Sequence, residues 1–400
     1  MAILDKPLNE ITAEDVDLLC EEQMQEGPQF EVKQEVTIRD GKPSEQGRNA
    51  ITKEIIAFAN TYGGTLVVGV TESADSPHRA EHIHPVPECA DLARRLRQAV
   101  QAIIDPPLQT LEAKGVVTDK DGTSGVVVMR VGKSRRAPHR STVNKEVYVR
   151  REDESVPIDM REIRELAMSR LAEVHAIEDE ISRRQNACGK SFAEFAHPNA
   201  YALQYVAIST VEVDLGRVVR RPELYSKETT VELSQGEAVE AATWTRGEFH
   251  NWRPALRSVN AIEKSEGRET HFSLTTGGVL ECRAYAGRSE PIAIHPNNVV
   301  SSMGLMLNWI DRVRRAGGFP DQEYIVAPMV LVRGNVSLAP FGRYSHGRQC
   351  EVPNGNHVFP VYAALDRDEF ADIITQFNDD FWNFAGEAFD GTIHFRLLEW

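Results

Sequence analysis

The stretch Gln29–Glu72 restricts this 400-residue chain more than any other, because it alternates structure-forming and structure-breaking residues in an order that few folds accept. It reads strand, loop, helix, glycine stop, strand. Phe30-Glu31-Val32-Lys33 opens it, and Arg39–Gly47, with Gly41, Pro43 and Gly47, is a polar loop. Ile51, Ile55, Phe58 and Ala59 then fall at helical spacing, so the next element has one apolar face. Asn60 followed by Gly63-Gly64 is helix-stop chemistry, since glycine takes left-handed backbone angles without a Cβ penalty. Thr65–Val70 is β-branched and apolar almost throughout, which suits a buried strand.

This stretch resembles the AlbA-like domain of the Schlafen family. The resemblance rests on Glu31-Val32-Lys33, on Ala57–Gly64, which reads Ala-Phe-Ala-Asn-Thr-Tyr-Gly-Gly, and on Gly69-Val70-Thr71-Glu72. It extends over roughly residues 15–170. It implies an α+β fold for the N-terminal half and a nucleic-acid ligand, with structured small RNA such as tRNA first and DNA second.

Four hundred residues exceed one ordinary core, so two domains are expected. The N-terminal one is assigned to residues 1–190, ending in a long helix from Asp159 to about Gln185. Ile163, Leu166, Leu171, Val174, Ile177 and Ile181 stripe that helix near heptad spacing. Asn186–Asn199 reads as a linker. Residues 196–400 form a second α+β domain, with strand-like runs at Tyr201–Val213, Thr270–Thr275, Val279–Tyr285 and Glu323–Val332 and helical patterns at Asn297–Ala316 and Asp366–Ala388. That half resembles no family and is read as a sensing or specificity module.

No apolar run is long enough to span a bilayer, and the first residues lack the basic-then-apolar order of a signal peptide, so no membrane partner is expected. Five scattered cysteines without a C-x-x-C pair fit reduced thiols and a cytoplasmic setting.

Chemistry concentrates in two places. Glu31 and Lys33, two apart on a strand, share a face. Glu26 can fold back over the Gly27-Pro28 break toward it, and Glu72 ends the next strand. Converging carboxylates make an oxygen-rich site suited to Mg²⁺ or Mn²⁺, with Lys33 as a point charge for a phosphorane-like state. The family resemblance implies that Glu26 and Glu31 match a catalytic glutamate pair five residues apart, ahead of the lysine. At the third acid position Thr71 stands, with Glu72 one residue later. Glu26, Glu31, Lys33 and Glu72 are therefore the candidate catalytic set, and Glu26, Glu31 and Glu72 the candidate metal ligands of an endoribonuclease. A plain Glu31–Lys33 surface pair and binding without catalysis stand beside this reading, as does a DNA-binding regulator or a protein scaffold.

The second place is a basic run. The net charge of −15 argues against a generally basic surface, yet Arg130–Arg151 holds eight basic residues and one acid, Glu146. Lys133, Arg135, Arg136, Arg140, Arg150 and Arg151 are the candidate phosphate contacts. A solvated loop between strands is the competing reading. Tyr148 is read as a strand-face core aromatic rather than a stacking platform. Finally, family nucleases are expected to close two such lobes over a basic channel. One lobe per chain then implies a homodimer, through this domain or the long helix.

Overall fold

The computed structural model describes residues 2–39, 42–119, 122–211, 213–216, 218–221, 223–226, 231–235, 238–242, 252–318, 322–339, 350–365, 367–386 and 393–397. The expected turn at Lys120-Asp121, Trp244 and Trp400 lie outside them. The fold is α+β, and the chain divides into two compact units. One comprises Met1–His175 with Gly318–Asp321, the other Ala176–Gly317 with Gln322–Trp400.

In the first unit, Ala13–Glu21 (α1) begins at a capping box in which Thr12 N–H donates to Asp15 at 2.9 Å. Phe30–Lys33 (β1) follows. Glu45–Asn60 (α2) starts where Ser44 Oγ accepts from Gly47 N–H, and it returns the chain to Gly63–Val68 (β2). Parallel strands need such a crossover, and β1 and β2 are parallel, with Phe30 opposite Thr65 and Lys33 opposite Val68. The stop between α2 and β2 is Gly63, whose φ of +74° is left-handed. Val70–Glu72 (β3) pairs with Ala80–Ile83 (β4), a short hairpin inside what reads in sequence as a polar loop. Cys89–Gln101 (α3), Glu112–Val117 (β5) and Gly125–Gly132 (β6) complete a four-stranded sheet in the order β1-β2-β6-β5.

Alternation along these strands sends Leu66, Val68, Val127 and Met129 to one face, under Ile51, Ile55, Phe58, Leu92 and Leu96 of α2 and α3. Phe30, Val32, Val67 and Val128 go to the other, against Val16 and Leu19 of α1. Glu31 and Lys33 share register with Leu66 and Val68, so they leave the edge strand on the α2 side. Tyr148–Arg151 (β7) and Glu154–Pro157 (β8) form a separate hairpin.

Met160–Glu194 (α4) is one helix of 35 residues. The expected linker from Asn186 is therefore helical as far as Glu194. The apolar stripe does not stop at Gln185. Ile181, Cys188 and Phe192 continue it and bury against the sheet of the second unit.

That sheet is antiparallel. Asn199–Ser209 (β9) lies between Leu280–Arg288 (β12) and Tyr324–Arg333 (β13). Ser258–Ser265 (β10) and Arg268–Thr275 (β11) extend it beyond β12. Pro296–Gly317 (α5) covers one face, with Val299, Val300, Met303 and Ile310 buried. Phe370–Phe384 (α6) buries Ile374, Phe377 and Phe381. Among the described residues no helix is long and apolar enough to cross a membrane.

Candidate functional site

The carboxylates collect at the edge of the first sheet. Glu26 folds back over the Gly27-Pro28 break, and its Oε1 accepts from the Val32 N–H at 2.9 Å. Glu31 rises from β1 toward α2, and its two oxygens are divided between two cations, Lys33 on one and Arg150 on the other. A fourth acid, Glu54 of α2, joins from above. It accepts from Arg150 at 3.0 Å and from the Ser155 hydroxyl.

Arg150 is the centre of this network. Its side chain is 1% exposed, and it also donates to Gly27 O at 3.1 Å. Its guanidinium lies 5.0 Å from the centre of the Phe58 ring, within cation–π range. Arg150 is therefore not an outward phosphate contact. Tyr148 and Arg150, two apart on β7, both point inward, and the arginine is the buried counter-ion of Glu31 and Glu54.

The Asn60-Thr61 pair at the end of α2 holds β7 in place. Asn60 Nδ2 donates to His139 O at 2.9 Å and to Tyr148 O at 2.8 Å, and its Oδ1 accepts from His139 N–H at 2.7 Å. Thr61 Oγ1 accepts from Arg150 N–H at 2.9 Å. Asn60 thus does more than end a helix: it clamps the strand that delivers Arg150.

Electrostatics follow burial. Desolvation pushes the Glu26 carboxyl up to about 7; the Val32 N–H pulls it down, and the charges of Glu31 and Glu72 add to the rise. Burial alone would lower Lys33, but the adjacent Glu31 carboxylate more than offsets it and leaves Lys33 raised. Glu72, at the end of β3, is exposed and acts on Glu26 through its charge. The structure thus brings Glu26, Glu31 and Lys33 together, adds Glu54 and Arg150, and leaves Glu72 at the rim.

Oxygen ligands of this kind suit a hard divalent ion. As arranged, however, the residues do not fit one. Both Glu31 oxygens and Glu54 Oε2 already receive charged or hydroxyl donors. Among the described residues no group of three or more His, Cys, Asp or Glu is placed to hold a metal.

The rest of the basic run is distributed over the surface of the unit. Arg140 makes two bonds to Asp105 Oδ2, at 2.8 and 3.0 Å, and Arg151 pairs with Glu162; both pairs are solvent-facing. Lys133 is half-buried and meets Glu173 at 3.2 Å. Arg135 is half-buried and Arg136 exposed. Arg130 is a core residue that donates to Ile3 O and Lys6 O. His139 fixes the loop between them, its ring nitrogens 2.7 Å from Pro106 O and 2.6 Å from Ser134 Oγ. Burial lowers its pKa, which keeps the ring neutral.

Residues 26–159 match the Schlafen, AlbA_2 family, and the C-terminal half carries no family match. The matched segment begins at Glu26 and ends one residue before α4. No curated protein matches the chain. A Schlafen AlbA_2 domain points to nucleic acid as the partner.

Proposed function

We propose that this chain, whose residues 26–159 form a Schlafen AlbA_2 domain, binds nucleic acid through backbone phosphates without cutting it. In this reading Arg136, Arg140 and Arg151 make the phosphate contacts, with Lys133 and Arg135 at the margin. The buried carboxylates hold Arg150, and with it β7, in place.

One observation carries the non-catalytic form of the reading: Glu31 is engaged by a cation on each oxygen, Lys33 and Arg150. The binding half is supported by the exposed pairs Arg140–Asp105 and Arg151–Glu162. Exposed ion pairs contribute about 0–1 kcal/mol each, so exchanging a carboxylate for a phosphate costs little. Guanidinium suits that exchange because its fork matches phosphate as well as carboxylate.

A second reading has an observation of its own. Glu26 is a buried carboxyl near neutrality, bonded to one backbone N–H and close in charge to Glu31 and Glu72. That is the acid inventory expected of a Mg²⁺- or Mn²⁺-dependent endoribonuclease. It requires Glu31 to exchange Lys33 for the metal.

One experiment separates the two. Labelled tRNA, unstructured RNA and single- and double-stranded DNA are titrated with protein as salt rises from about 50 to 200 mM. The same samples are then incubated with Mn²⁺, Mg²⁺ or EDTA. Binding that weakens with salt, is reduced in Arg140→Gln/Arg151→Gln and leaves the strands intact supports the proposal. Metal-dependent cutting lost in both Glu26→Gln and Glu31→Gln replaces it with the nuclease. No binding to any of these polymers overturns both.

A further inference from the structure

The second unit carries a pocket built from two rungs of its sheet. Across β10, β11 and β12, Asn260 stands opposite Ser273 and Ser273 opposite Glu281. One rung further, Ile262 stands opposite His271 and His271 opposite Arg283. Side chains two apart on a strand share a face, so all six residues lie on one side of the sheet. The opposite face is filled, with Phe272 packed 4.8 Å from the Trp309 ring of α5. On the near face, Ile181, Cys188 and Phe192 of α4 cover β9 and β13. The six residues lie beside that cover and line a cavity of about 240 Å³.

A sheet face turned to water usually carries polar residues and needs no ligand to explain it. Here the charges are not left in water. Glu281 is 5% exposed and is held by Arg184 at 2.7 Å, by Gln204 at 2.6 Å and by Arg283 Nε. Two guanidiniums around one carboxylate leave one positive charge in excess at the floor. Beside it, His271 and Lys264 share Glu269, which adds no net charge while His271 is neutral. The Gln204 carbonyl oxygen, buried beside Glu281, has no hydrogen-bond partner. A buried excess charge is costly unless a counter-ion answers it.

We infer that this pocket binds a small organic anion, a carboxylate or a phosphate, against Arg283 and His271, with Ser273 and Asn260 contacting its polar substituents. The volume lies just below the ~300–1,000 Å³ usual for ligand sites, which suits a metabolite and excludes a polymer. Ile262, 47% exposed at the rim, gives the ligand's carbon atoms an apolar surface. The inference rests on the second unit alone and does not depend on what the first unit binds.

Calorimetric titration of the full chain with inorganic phosphate and with succinate tests it, using putrescine as a cationic control. Saturable binding of either anion is expected, and which of the two binds identifies the headgroup. Arg283→Gln is expected to weaken it at least about tenfold, or ~1.4 kcal/mol. Because Arg283 also supports Glu281, Ser273→Tyr serves as a second variant that fills the cavity and leaves the ion pairs intact. Circular dichroism checks that both variants fold. Failure of wild type to bind either anion overturns the inference. So does equal binding by Ser273→Tyr, or saturable binding of putrescine in place of the anions.

Discussion

Removing the Arg150 guanidinium would leave Glu31 with Lys33 alone and Glu54 with Ser155, both carboxylates still buried. Breaking a buried ion network from one side costs about 3–5 kcal/mol, because the charge left behind loses its partner and does not regain water. Arg150→Met is expected to lose that much in urea unfolding, and adding Glu54→Gln to recover part of it. A loss under about 1 kcal/mol would mean the network is open to solvent. Glu26 makes a different prediction. Its folded pKa, about 7, lies above the ordinary 4.5. Between those values the folded state keeps a proton that the unfolded chain has released, so stability falls as pH rises through that window. Unfolding midpoints at pH 5 and pH 8 should show this fall in wild type and a flatter profile in Glu26→Gln. Both roles were partly legible in the residues. Position 54 lies three after Ile51 and four before Phe58, on the buried face of α2, where a carboxylate requires a counter-ion. Arg150 shares the strand face of Tyr148, which already reads as core, so its inward direction follows from alternation. The pairing itself was not legible, because positions 31, 54 and 150 meet only through tertiary contact.

At the scale of elements, hydrophobic period and glycine placement gave the β1-α2-β2 unit, α3, α5 and α6 close to their limits. They failed where the period was kept by unexpected residues. Asn186 and Gly189 look like stops, yet α4 runs through them because Cys188 and Phe192 keep the stripe and bury it. Gly189 therefore lies in a helix, where it loses more backbone freedom on folding than alanine would. A Cβ there meets nothing within 4 Å. Gly189→Ala is expected to raise unfolding stability by about 0.5–1 kcal/mol, and a decrease would show that the helix is interrupted there. β10 was hidden for another reason. Ser258, Asn260, Glu263, Lys264 and Ser265 carry little β-propensity, and only Val259 and Ala261 are buried. Eight paired residues on β11 hold the strand. A strand specified by its neighbour's backbone leaves little trace in its own side chains.

For the molecule as a whole, the remaining question is the second copy that the sequence led us to expect. The first turns of α4 carry Met160, Met168 and Leu171, which are 77%, 63% and 51% exposed. Separations of eight and three residues place them on one side of a 3.6-residue helix. Scattered exposed apolar residues are ordinary, but a row of them along one helix marks a contact surface. The charges in the same row favour a copy of the same helix. Arg164, Met168, Leu171, His175 and Glu178 follow one another at steps of four and three residues, and all five are exposed. The row therefore begins on a cation and ends on an anion, with apolar side chains between. Antiparallel self-pairing around Leu171 brings Arg164 of each copy near Glu178 of the other, as a two-fold interface requires. Parallel pairing opposes like charges instead. Light scattering at micromolar concentration should therefore give twice the 44.7 kDa chain mass. Met168→Glu/Leu171→Glu should halve it with the circular dichroism unchanged, because neither side chain belongs to a core. Charge reversal makes the sharper test. Arg164→Glu should weaken the dimer, and Arg164→Glu with Glu178→Arg should restore it. A monodisperse wild-type monomer would remove the dimer and leave any phosphate surface to a single lobe.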